Sequence, residues 1–272
     1  MQEKSPSVHL NEAIRKRVAR EKSAHTGNDV LANSCRLKNR FKHIWSYPSR
    51  RRIDATLLGH LKNLNGVRVL DYGCGRGDLS LYILAQGGVV HGIDISTVYI
   101  QDATNRCIEA GYKISRFRFD VMDCHSMEFP ADFFDIVAGR GILHHLDSGL
   151  ALSEIHRVLK PGGRLLLQEP LADNPLLKLF RKLTPSARTK DERPLTRKNI
   201  KQIKKSEWTP QMSFCGLLEA SAAVITSVLM PTSPDNFVLQ AVDWIERKLH
   251  NAGFLDTWNQ YVLINLIKRP IN

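Results

Sequence analysis

VLDYGCGRGDLS, residues 69–80, is the stretch that decides the fold. A β-branched and leucine run leads to an acid, Asp71, and then to glycines at 73, 75 and 77. The apolar run predicts a strand, and DLSLYILAQ (78–86) behind the glycines predicts a helix. Glycines at such a junction let backbone amides approach a ligand at the helix N-terminus. A dinucleotide fingerprint, G-x-G-x-x-G, needs its third glycine at position 78, where Asp78 stands. A phosphate-cradling P-loop needs G-x-x-x-x-G-K-[ST], and no such run occurs. Both pyrophosphate readings fail.

The alternation continues on the C-terminal side. The apolar runs VRVLDY (67–72), GVVHGID (88–94), RFRFDV (116–121), FDIVAG (134–139) and GRLLLQE (163–169) read as strands. Residues 78–86, 97–111 and 148–160 between them carry apolar positions at helical spacing. KPGG (160–163) predicts a turn that stops the last of these helices. The pattern predicts an α/β doubly wound parallel sheet covered on both faces. Residues 8–22 and 49–64 read as helices. So does the segment after Asn174, with Asn174 as N-cap and Pro175 in the first turn. Two further helices, around 217–230 and 236–250, lie between a strand near 209–217 and a last strand in 258–270.

The chain has 272 residues, 43% of them hydrophobic, enough for a sizeable core. Its formal net charge of +12 is unevenly placed. Residues 1–66 hold 14 Lys/Arg against 5 Asp/Glu, and residues 176–206 hold 11 against 2. Residues 67–175 are mildly acidic, with 10 against 14. Two basic flanks around an acidic middle suggest a positive rim over a site. The five cysteines, at 35, 74, 107, 124 and 215, are scattered, with no C-x-x-C pair. They read as reduced thiols of a cytoplasmic protein, neither a disulfide frame nor a zinc site. The N-terminus lacks the apolar core of a signal peptide, and no run of about twenty apolar residues predicts a membrane span. The expected organisation is a basic helical extension (1–66), a ligand-binding core (67–171), a basic lid segment (172–206) and C-terminal strands with a helical insertion (207–272).

VLDYGCGRG resembles the first motif of class I S-adenosylmethionine (SAM)-dependent methyltransferases. The resemblance continues through GIDIS (92–96), FDVMDCHSMEFP (119–130), FFDIVAGRGILHHL (133–146) and EIHRVLKPGGRLLLQEP (154–170). These motifs stand in the family's order over about 105 residues and look most like the ubiquinone/menaquinone-biosynthesis group. The resemblance implies a seven-stranded Rossmann-like sheet with SAM as cofactor and S-adenosylhomocysteine as product. It places Asp71, Gly73, Cys74 and Gly75 at the methionine end, with Gly139 and Arg140 lining that side. It puts Asp94 and Ile95 at the ribose, and Asp123 and Cys124 at the adenine. A carboxylate at the end of the second strand can accept from both ribose hydroxyls. Asp120, three residues before Asp123, could trade roles with it, and an acid before a turn is also a common turn cap. Cys74 and Cys124 read as small residues chosen for fit rather than redox thiols.

The sulfonium donor is already activated, so catalysis needs in-line placement of a nucleophile, a dry pocket and, where the acceptor must lose a proton, one base. His144 and His145, just past the fourth strand, and Glu169, at the end of the fifth, are the candidates, with turn capping the competing role for the histidines. No metal site is recognisable. The [N/D]-P-P-[Y/F] run of adenine and glutamine methyltransferases is missing, AGRGI standing in its place, and no Pro-Cys occurs for cytosine methylation. The acceptor expected is a small-molecule or lipid-like intermediate methylated on O or C, anionic or carrier-bound. The alternative is a tRNA or rRNA methyltransferase holding phosphates with its basic flanks. Arg181, Arg188 and their neighbours are expected to form a cationic rim facing that acceptor or a membrane surface. A stripe of Phe237, Val238, Ala241, Trp244, Ile245 and Leu249 reads as core packing first and as a hydrophobic lid second.

Overall fold

A computed structural model describes residues 12–26, 42–183, 192–204, 208–249 and 253–269. Cys35 and Arg188 lie outside these. Helices α1 (Glu12–Thr26) and α2 (Pro48–Gly59) precede the sheet. The core alternates β1 (Arg68–Tyr72), α3 (Asp78–Ala85), β2 (Val89–Asp94), α4 (Thr97–Glu109), β3 (Phe117–Val121), β4 (Phe134–Arg140), α5 (Ser148–Val158) and β5 (Leu159–Pro170). Then follow α6 (Pro175–Leu183), α7 (Arg197–Lys204), β6 (Trp208–Cys215), α8 (Glu219–Leu229), α9 (Phe237–Leu249) and β7 (Tyr261–Lys268).

The seven strands form one sheet in the order β3-β2-β1-β4-β5-β7-β6. β1 to β5 run parallel, while β7 is antiparallel to both β5 and β6. The order reverses at β1 and β4, so the crevice outside their carboxyl ends is the natural ligand position. Successive side chains of a strand face opposite ways, and this assigns the layers. Leu70, Tyr72, Leu165 and Leu167 pack with Ile155 and Val158 of α5 and with Ile200 and Ile203 of α7. Val69, Leu166 and Leu263 pack on the other face with Leu57 of α2, Ile83 of α3 and Leu177 of α6.

Several boundaries depart from the sequence reading, among them α2, which ends at Gly59 rather than at 64. The first helix continues to Thr26, past the expected end at 22, and residues 8–11 of the expected helix lie outside the described residues. KPGG is not a free turn: β5 starts at Leu159 opposite Phe134, and the register then jumps to Arg164 opposite Ile136. The four residues form a bulge inside the strand, with Gly162 at φ +76°. Asn174 caps α6 as expected, its Oδ1 accepting from the amides of Leu176 and Leu177 at 3.0 and 3.1 Å. Among the described residues no helix is long and apolar enough to cross a membrane.

Candidate active site

The glycine loop joins β1 to α3. Gly73, Gly75 and Gly77 all have positive φ, and a Cβ on Gly75 would meet nothing within 4 Å, so open space stands beside the loop there. Asp71 sits beneath the loop, buried, and accepts from the Ser80 hydroxyl at 2.6 Å. Burial raises its carboxyl to about 6, against the opposing pull of Ser80 and Arg140. Gly139, on the neighbouring strand, is required by close approach, since a Cβ there would lie 2.6 Å from the Tyr72 carbonyl oxygen. Arg140 follows it, exposed at the strand's end.

Asp94 ends β2 and reaches across the crevice. Its Oδ2 accepts from the Gly75 amide at 3.0 Å and its Oδ1 from the Ser96 amide at 2.9 Å. The half-buried Ile95 follows. Asp123 lies past β3, where its Oδ1 accepts from the amide and the Nδ1 of His125, at 2.9 and 2.8 Å. Burial raises the Asp123 carboxyl, but the His125 bonds more than reverse this and leave it below the ordinary range. The Asp147 amide donates to His125 Nε2 at 2.9 Å, so the ring proton sits on Nδ1 and the imidazole is neutral. Asp120, three residues earlier, pairs with Arg118 along edge strand β3. Cys74 and Cys124 are buried, and burial pushes both thiols well up, as small packing residues require.

Across the crevice, Glu169 is fully buried at the end of β5. Its Oε1 accepts from the amides of Ile142 and Leu143 at 2.9 and 2.8 Å. Its Oε2 accepts from the amide and Nδ1 of His144, at 3.3 and 2.9 Å. Both oxygens are thus committed to the turn Leu143–His145, away from solvent. In that bond His144 Nδ1 donates to the Glu169 carboxylate. His145 stacks at a tilt, ring centroids 4.1 Å apart, with its Nδ1 3.2 Å from Glu21 of α1.

Helix α1 closes this side. It packs on α4, and its buried Arg17 donates to the carbonyls of His144 and Leu146 at 3.1 and 3.2 Å. Past the basic segment, the Arg193 amide donates to the same His144 carbonyl at 2.8 Å and brings Glu192 beside the histidines. Ligand atoms of His144, His145 and Glu192 lie within 4.8 Å of one another, the group among the described residues that could hold a metal ion. Sequence reasoning missed Arg17, Glu21, His125 and Glu192. Arg17 and Glu21 are spaced i, i+4 on a basic helix, which reads as a solvated pair.

A family model described as a methyltransferase domain matches residues 63–216, more than half of the chain. The chain belongs to the methyltransferase-domain family. The 27-O-demethylrifamycin SV methyltransferase of Amycolatopsis mediterranei is 35% identical over 118 residues, 43% of this chain and 43% of that protein. The ubiquinone/menaquinone biosynthesis C-methyltransferase of Geobacter sulfurreducens is 34% identical over 122 residues, 43% of this chain and 46% of that one. The matches span half or less of these curated relatives. Among solved structures, phosphoethanolamine N-methyltransferase 2 of Haemonchus contortus with bound SAM superposes with a TM-score of 0.61 at 20% identity, covering 92% of this chain and 60% of that one. Geranyl diphosphate C-methyltransferase of Streptomyces coelicolor A3(2) gives 0.56 at 18% identity, covering 80% and 77%. The architecture is therefore the class I, Rossmann-like methyltransferase fold.

Proposed function

We propose that this chain binds SAM and methylates an oxygen or carbon atom of a small-molecule or lipid-like biosynthetic intermediate, releasing S-adenosylhomocysteine. The observation that carries the reading is the meeting, on one sheet edge, of an open glycine loop tied to Asp94 and the buried His144–Glu169 pair. The residues fit the cofactor: Gly75 leaves open space beside the loop, Asp94 stands at the strand end where a ribose diol would be held, and Asp123 and Cys124 follow for the adenine. When bound, SAM supplies an electrophilic methyl group on a sulfonium, open to in-line displacement.

The chain's own work is then placement and one proton. His144, with Nδ1 donating to Glu169, presents Nε2 as the base for a hydroxyl or activated carbon acid. Glu169 acts as a positioning residue. It fixes the tautomer and holds the turn, and any imidazolium formed would gain from its charge. His145, gripped by Glu21, lines the acceptor space. Arg17 and α1 exclude water from that side.

The basic flanks would also suit RNA phosphates. Against that reading, the chain shows no recognised RNA module, and the names of its curated relatives point to small acceptors. The test is transfer of label from methyl-labelled SAM into a lysate, followed by partition of the products. Label in the extractable small-molecule fraction supports the proposal. Label in nuclease-sensitive material would replace it with the RNA reading, and binding should then fall steeply with salt.

A further inference from the structure

The apolar stripe of α9 does not pack into the core. Phe237 is 73% exposed, Trp244 61% and Leu249 42%, while Leu239, Asp243 and Glu246 face inward. The helix is turned so that its acids are buried and its aromatic residues meet solvent. Each buried acid has a task. Asp243 pairs with Arg52 of α2 and lies 3.0 Å from Arg247. Glu246 accepts from the amides of Leu217, Leu218 and Glu219 at 2.7, 3.1 and 2.7 Å, capping α8.

The neighbouring helices repeat the arrangement. α8 packs against both α9 and α6. It buries Glu219 and exposes Ile225, Val228 and Leu229. α6 has no acid, buries Leu177, and exposes Leu176 before Lys178 and Leu179 between Lys178 and Lys182. Across the three helices every acid is buried, and every base is exposed or half-buried: Lys178, Arg181, Lys182, Arg247 and Lys248.

Hydrogen bonds bring the start of α6, Trp258, the α8 N-terminus and the end of α9 into one region. Asn174, capping α6, also donates from Nδ2 to the carbonyls of Leu217 and Trp258, at 3.0 and 2.7 Å. Leu176, 55% exposed, and Trp258, 45% exposed, therefore adjoin the α8 N-terminus and, through Glu246, the end of α9. Asn174 follows β5, Leu217 follows β6 and Trp258 precedes the antiparallel β7. All three thus lie at the carboxyl edge of the sheet, the edge that holds the candidate active site.

We propose that this face docks on an anionic lipid bilayer. Exposed Trp, Phe and Leu flanked by Lys and Arg is the composition of a surface that lies in the lipid headgroup region. Charge selects the occupant. A second copy would set like-charged rims against each other, whereas acidic headgroups would meet the exposed Lys178, Lys182 and Lys248. The inference goes beyond methyl transfer and does not require it, since docking is measured without SAM. If both readings hold, a lipid-borne acceptor would reach the site from the edge where the bilayer lies.

The test is co-sedimentation of the full chain with vesicles of phosphatidylcholine containing one quarter phosphatidylglycerol, beside pure phosphatidylcholine. Binding to the anionic vesicles with a blue shift of tryptophan emission is expected, with little binding to the neutral ones. A triple substitution of exposed residues, L176N/W244N/L249N, should abolish sedimentation while SAM affinity stays unchanged. Lys178→Gln and Lys248→Gln should each weaken vesicle binding about fivefold at low salt. The proposal is overturned if the chain fails to sediment with anionic vesicles at low salt, or binds both vesicle types equally. It is also overturned if the chain forms a dimer that the triple substitution dissolves, which would make the face an interface between copies.

Discussion

His144 Nδ1 lies 2.9 Å from Glu169 Oε2, and the same carboxylate collects three backbone amides from Ile142, Leu143 and His144. One buried acid thus sets both the shape of the turn and the face of the imidazole that is left free. Replacing His144 by Ala should lower kcat by about 10²–10⁴ with SAM affinity unchanged, read by single-turnover label transfer and calorimetry. Equal kcat in the variant would remove His144 from the chemistry.

Glu169→Ala strands four donors at a buried site. The expected cost is about 3–5 kcal/mol of stability, read by urea denaturation. A loss of activity with stability intact would instead make Glu169 the base.

Asp94 bridges β2 to the glycine loop through the Gly75 amide at 3.0 Å. Asp94→Ala should weaken SAM binding by at least about 10²-fold, because two charge-assisted hydrogen bonds and the loop's anchor are lost together. Calorimetric titration with SAM checks this, and an unchanged Kd would dismantle the cofactor assignment.

Gly139 has its α-carbon against the Tyr72 carbonyl, where a Cβ would approach to 2.6 Å. Gly139→Ala should destabilise the fold by roughly 1–3 kcal/mol, through strain between β4 and β1. A melting temperature equal to that of the parent would show that the strands separate freely there.

Glu219 is buried beside Ser49, Glu246 and Asp243. Burial raises its carboxyl from the ordinary 4.5 to about 7, with repulsion from the other two acids adding to the shift. A raised carboxyl favours the fold fully below about 4.5, and that contribution is lost as pH rises through about 7. Glu219→Gln should therefore raise stability by about 3 kcal/mol at pH 8 and change it little at pH 4. Thermal melts across that range check the sign, and an equal effect at both ends would refute it.

Much of this was legible in the residues. The alternation of apolar runs with helical spacing specified the parallel core, because strand and helix periods are local properties of the chain. Glycines 73, 75 and 77 between a predicted strand and a predicted helix marked a ligand loop, and the resemblance to the methyltransferases, not the spacing, attached SAM to it. The cap at Asn174 was equally local. The partners of Glu169 were not legible, because the amides of 142–144 and the His144 ring meet it only through strand order, whereas Asp123 and His125 are two residues apart and pair locally. Arg17 and Glu21 lie more than a hundred residues from the histidines they hold. Only packing of α1 against α4 makes them part of the site. The stripe on α9 shows the limit most plainly. Its helical period was correct in the sequence, but period does not say which face turns inward. Tertiary structure settled that, because capping α8 and pairing with Arg52 demand buried carboxylates, and the aromatic residues were left outside.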